Sequence, residues 1–114
     1  MTWNEKYGRV IDAVYTDLGK TYSVYEEEPV PVPEDAEYIY LKAEIRGISY
    51  WYLYSFDGVN WTKVPHRFDS AKLSEEYIKA VNDAAFTGAF VGMFSVDGLG
   101  TRIPADFDYF EYED

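Results

Sequence analysis

The chain has 114 residues, enough for one domain, and is 47% hydrophobic and 19% aromatic with 12 tyrosines, which argues against disorder despite its charge. A formal net charge of −11 repels phosphate backbones and anionic headgroups, so no nucleic acid and no membrane surface is expected as a partner, whereas neutral sugars are not disfavoured. Cysteine is absent, which excludes a disulfide framework and thiolate chemistry, and no apolar run approaches the ~18 residues of a bilayer span.

The start, MTWNEKYGRV, lacks the basic-then-apolar order of a signal peptide, so a cytoplasmic location is expected. Gly8–Tyr15 and Lys20–Tyr25 read as strands around a turn at Asp17-Leu18-Gly19. In EEEPVPVPED, residues 26–35, prolines at alternate positions (Pro29, Pro31, Pro33) remove backbone donors, predicting an extended connector or edge with solvated acids. Glu37–Ile45 alternates Ile39, Leu41, Ala43 and Ile45 against Tyr38, Tyr40, Lys42 and Glu44. Ile48–Phe56 alternates Ile48, Tyr50, Tyr52, Tyr54 and Phe56 against Ser49, Trp51, Leu53 and Ser55, and the short connection at Gly47 favours an antiparallel pair.

The stretch YSFDGVNW, residues 54–61, puts Asp57-Gly58 between strand patterns, a hairpin signal, with Trp61 expected to pack across the return strand Trp61–Val64. Pro65-His66-Arg67 follows as a connector carrying a surface histidine. Ser70–Val81 places Leu73, Tyr77, Ile78 and Val81 at helical spacing and predicts a short helix capped by Ser70 or Ser74. Thr87–Val96 and Phe107–Tyr112 read as the last strands. Many strands and one short helix near 71–81 predict an all-β antiparallel β-sandwich over a single domain, residues 1–114.

Little in this pattern suits bond-breaking chemistry. Glycoside hydrolysis needs two carboxyls ~5–9.5 Å apart, one with a raised pKa. Asp106 and Asp108, on the expected last strand, would lie on one side roughly 7 Å apart. With 21 acids some such pair is inevitable, and a solvated strand start accounts for these two, with calcium ligation a weaker alternative. A lone His66 without cysteine builds neither a triad nor a zinc cluster. The run GMFSVDGLG is a β-turn at Asp97-Gly98 rather than a phosphate loop. Trp3, Trp51 and Trp61 could stack sugar rings or could be ordinary strand-pair residues, with Trp51 and Trp61 the better stacking candidates.

YSFDGVNW at 54–61, AKLSEEY at 71–77, FTGAFVGMFSVD at 86–97 and PADFDYFEY at 104–112 together resemble the C-terminal β-sandwich domain of glycoside hydrolase family 43 β-xylosidases and α-L-arabinofuranosidases; GRVIDAV at 8–14 and EEEPVPVPE at 26–34 extend the likeness over nearly the whole chain. The resemblance implies a concanavalin A-like (jelly-roll) sandwich that packs on a catalytic five-bladed propeller. The propeller would carry the catalytic carboxylates, and the sandwich would lend an aromatic, here Phe86, to the mouth of the active site. It also implies a partial copy, about the C-terminal half, of the family's sandwich, whose uncovered apolar surface would pair with the propeller or self-associate. No catalytic residue and no resident cofactor are then expected in this chain, and the substrate reached through its partner is a neutral xylo-oligosaccharide. A free-standing carbohydrate-binding module and a plain interaction domain are the alternatives.

Overall fold

The computed structural model describes residues 1–26, 28–73, 92–96, 100, 102 and 104–113. Every ladder among them is antiparallel, and the only helical element is one 3-10 turn, so the fold class is all-β, as the alternation predicts.

The first sheet opens with a strand that the pattern did not announce. β1 (Thr2–Asn4) pairs with β2 (Gly8–Ile11), Asn4 opposite Gly8. The Asn4 side-chain oxygen accepts from the amides of Lys6 (2.8 Å) and Tyr7 (3.1 Å), which folds the turn between them. β2 then pairs with β5 (Val30–Pro31), which lies at the sheet's edge, where a proline without an N–H is tolerated. The connector reading of the proline-rich stretch holds, and Glu26, Glu28, Glu34 and Asp35 are exposed.

The strand expected over Gly8–Tyr15 is divided. The chain leaves the first sheet at Asp12-Ala13 and enters a hairpin of β3 (Val14–Asp17) and β4 (Lys20–Ser23). The crossing is held by Ser23 Oγ donating to Asp12 Oδ1 (2.7 Å) and the Val24 amide donating to the Ala13 carbonyl (2.8 Å). Leu18 (φ 53°) and Gly19 (φ 77°) both take the left-handed conformation of a two-residue I′ turn.

The third sheet is the largest. β6 (Tyr40–Arg46) and β7 (Ser49–Ser55) pair in register from Tyr40↔Ser55 to Arg46↔Ser49 around Gly47-Ile48. β8 (Thr62–Lys63) and β9 (Phe68–Asp69) follow one another along the far edge of β7. Cross-strand partners share a face. Leu41, Ala43, Ile45, Tyr50, Tyr52, Tyr54 and Phe68 therefore lie on one side of this sheet, and Tyr40, Lys42, Glu44, Arg46, Ser49, Trp51, Leu53 and Lys63 on the other.

The core forms where the first sheet meets the apolar side of the third, around Ile11, Ala13, Val32, Tyr54 and Val64. Beside it Phe68 stacks on Tyr50 (5.1 Å), and Tyr15 reaches across from the β3–β4 hairpin to meet Phe68 edge-on (5.6 Å) and His66 face-on (4.9 Å). His66 is thus a half-buried member of an aromatic cluster and not a surface histidine: β9 returns to β7 immediately after it and carries its ring between Tyr15 and Phe68.

The predicted helix begins as a 3-10 turn, Ser70–Leu73, and residues 74–81 lie outside the described residues. The Ser70–Leu73 turn is capped by Asp69, whose Oδ1 accepts from the Ala71 amide (2.9 Å), rather than by Ser70; Ser74, the other expected cap, lies outside the described residues. Residues 92–96, the described part of the expected Thr87–Val96 strand, and residues 104–113 carry no strand ladder and are exposed. The expected strand over Phe107–Tyr112 is therefore not formed: alternation supplies a face, but a strand also needs a partner to bond, and residues 104–113 pair with none of the sheet edges.

Candidate functional site

The polar face of the third sheet collects the chain's sugar-stacking candidates. Trp51 on β7 lies opposite Glu44, and Trp61, just before β8, sits edge-on to Tyr40 (6.5 Å). Lys42 and Lys63 oppose Leu53 from the two flanking strands, and each extends over an indole. Lys42 Nζ lies 4.3 Å from the Trp61 ring centre and Lys63 Nζ 4.7 Å from that of Trp51. Leu53, between the two lysines, is buried. Trp3 belongs to the first sheet, where its ring lies over Gly8, so the three tryptophans do not form one platform.

At one end of this sheet the loop 55–61 carries the YSFDGVNW motif. It is longer than a two-residue hairpin turn, because the ladder closes at Tyr54↔Thr62. Asp57 replaces the missing backbone bonds. Its Oδ1 accepts from the amides of Val59 (2.8 Å) and Asn60 (2.7 Å) and from Ser55 Oγ (2.9 Å), while Oδ2 accepts from Asn60 Nδ2 (2.6 Å). These bonds, the Asn60 amide first, hold the Asp57 carboxyl well below the usual range. A carboxylate so occupied is no proton donor. Gly58 takes φ 77°, and a Cβ there would stand 3.2 Å from the Tyr40 ring, so two independent constraints require glycine.

Between this loop and the Pro33–Tyr38 connector runs an open groove of about 470 Å³, lined by Tyr38, Tyr40 and Phe56 and by Asp35, Glu37 and Asp57. It is an aromatic and acidic surface, suited to contact, with its one motif carboxylate engaged in holding the turn.

Asp106 and Asp108 lie in the exposed stretch without strand geometry, so the same-side placement expected of them does not apply, and they do not join either feature above. No cluster of three or more metal-ligating side chains occurs among the described residues. Phe86 lies outside the described residues. The residues that sequence reasoning passed over are Lys42 and Lys63. Their signal was available only as register, since nothing in the alternation says which residues face each other across β6, β7 and β8.

The reverse face of the same sheet is unusual in another way. On β6 the apolar residues Leu41 (64% exposed) and Ile45 (62%) are more open than Lys42 and Glu44, whose side chains retain 39% and 32% of their surface. Ile48 and Tyr52 extend the exposed apolar strip.

Comparison with known proteins gives these surfaces a context. Residues 1–113 match the family described as the beta xylosidase C-terminal concanavalin A-like domain. Similar proteins include a putative beta-xylosidase of Escherichia coli strain K12 (41% identical over 97% of this chain), a beta-xylosidase of Bacillus subtilis strain 168 (37% over 100%) and a xylan 1,3-beta-xylosidase of a Vibrio species (36% over 98%). The chain spans about a fifth of each relative's length: 20%, 21% and 20% respectively. An antiparallel all-β chain matched over all but its last residue in this way belongs to the C-terminal concanavalin A-like domain family of glycoside hydrolase family 43 β-xylosidases.

Proposed function

We propose that this chain is a non-catalytic accessory domain that packs against the catalytic propeller of a β-xylosidase or arabinofuranosidase and shapes the mouth of its active site toward neutral xylo-oligosaccharides, with Phe86 as the contributed aromatic. The observation that carries the reading is the inverted burial of β6: an apolar strip of Leu41, Ile45, Ile48 and Tyr52 is left open while its polar neighbours are half-covered. A contiguous apolar strip on a sheet face marks an interaction surface. The full-length family match, set against relatives about five times longer, supports a catalytic unit as what covers it.

The test is a chimera in which this chain replaces the matching segment of the Escherichia coli relative. Turnover of nitrophenyl xyloside is expected from the chimera and not from the chain alone, and Phe86→Ala in the chimera should raise KM more than it lowers kcat. Hydrolysis by the isolated chain, or a Phe86→Ala chimera with unchanged kinetics, would refute the reading. A free-standing carbohydrate-binding role has one specific observation in its favour, the shared face of Trp51 and Trp61.

A further inference from the structure

The face that holds Trp51 and Trp61 is charged against the grain of the molecule. Lys42, Arg46 and Lys63 project from it by register, and Arg67 is tied to it through Nε donating to Ser49 Oγ (2.6 Å). Four of the chain's ten Lys and Arg residues thus gather on one sheet face of a protein whose net charge is −11. The acids on it by register are Glu44 and Asp69, and the groove of Asp35, Glu37 and Asp57 adjoins it at Tyr40, beyond the two lysine–indole pairs. Asp69 is occupied by the Ala71 amide, and Glu44 reaches Lys42 at 3.4 Å, an exposed pair of small energetic weight.

The indoles alone would suit any sugar, since a pyranose ring stacks its C–H face on an aromatic one. Here, however, each indole face is already met by an ammonium. A neutral sugar would have to displace that ammonium to stack, losing the cation–π contact in exchange for the new one. A sugar that carries a carboxylate keeps the ammonium as its ion partner while its ring takes the indole. The same geometry therefore discriminates by charge. A flexible acidic peptide would satisfy the lysines and arginines but would leave the indoles without a ring to stack on.

From this arrangement we infer that the Trp51–Lys63 and Trp61–Lys42 pairs form a binding site for a carboxylated saccharide, a uronic acid residue borne on an oligosaccharide. The inference does not rest on attachment to a catalytic unit, because every residue it uses lies within this chain and it is read on the chain alone.

The experiment follows tryptophan fluorescence of the whole chain in a Trp3→Phe background, so that the signal comes from Trp51 and Trp61. The probes are xylotriose, xylotriose bearing one glucuronosyl group, and a hexaglutamate peptide. The glucuronosyl trisaccharide is expected to bind at least about tenfold more tightly than xylotriose at low salt, and the advantage should shrink at about 0.3 M salt, where exposed charges are screened. Lys42→Gln with Lys63→Gln should remove that advantage from both sides, weakening the response to the acidic trisaccharide and, by clearing the ammonium from each ring, strengthening the response to xylotriose. The salt series on the parent chain tests the same point without any substitution in the face. Equal affinity for the neutral and the acidic trisaccharide, no response to the acidic one, an unaffected double variant, or hexaglutamate binding as tightly as the acidic sugar would each overturn the proposal.

Discussion

Tyr25 shows how one side chain couples this fold to pH. Burial, and then the neighbouring Tyr54, pushes its hydroxyl up to about 12 from an ordinary 10.0. The ring packs against the core cluster that holds Tyr54 and Val64. A folded-state pKa raised above the unfolded one means that the fold favours the protonated phenol. The contribution is fully present below pH 10 and is lost as pH rises through 12. Thermal midpoints should therefore fall between pH 10 and 12, and Tyr25→Phe, which cannot ionise, should flatten that fall. An identical decline in both proteins would remove Tyr25 as its cause. None of this was legible in the sequence, where Tyr25 was only the end of a strand pattern. His66 was misread for the same reason: a pattern assigns a residue to a connector, but only tertiary packing decides whether Tyr15 and Phe68 close around it.

At the scale of an element, the loop 55–61 is the clearest case of sequence chemistry surviving into structure. Asp-Gly predicted a reversal with positive φ at Gly58, and both occur. The loop runs one residue further at each end than the strand patterns Ile48–Phe56 and Trp61–Val64 suggested, because an aspartate that bonds two downstream amides and a side chain can hold a wider loop. Asp57→Ala removes all of these acceptors and should lower the urea midpoint more than Asp57→Asn, which retains one oxygen for the Val59 and Asn60 amides. The sign with pH follows from the depressed carboxyl. Its stabilisation is present above the ordinary value of 3.8 and is lost as pH falls below it, so the gap between the parent and Asp57→Asn should narrow on acidification. A gap independent of pH would mean that the oxygen geometry, not the charge, does the holding. The split at Asp12-Ala13 was invisible to alternation, which continues through Gly8–Tyr15 while the hydrogen-bonding partner changes from β5 to β4.

At the scale of the molecule, fold class and family were legible, the first from period-two alternation and the second from YSFDGVNW and its companion segments. The direction each sheet faces was not. Alternation sorted Leu41, Ala43 and Ile45 from Lys42 and Glu44, and the resemblance implied uncovered apolar surface, but neither said which strand would carry it. The apolar face is buried at Tyr54 and Phe68 but stays open along the edge strand β6, where Leu41 and Ile45 are more exposed than Lys42 and Glu44 between them. If that strip is the face a catalytic unit would cover, the chain purified alone should satisfy it with a second copy of itself, giving concentration-dependent association by sedimentation in the micromolar range. Leu41→Lys with Ile45→Lys should abolish association. Because both side chains are already exposed, the double variant should unfold at nearly the parent's temperature, within the roughly 0.5 kcal/mol per site usual for surface substitutions. Loss of stability together with loss of association would place Leu41 and Ile45 inside the domain's own core. Undiminished association would move the interface to another surface. Association lost at constant stability identifies the strip as a contact face held open for a partner, which is what an accessory domain requires.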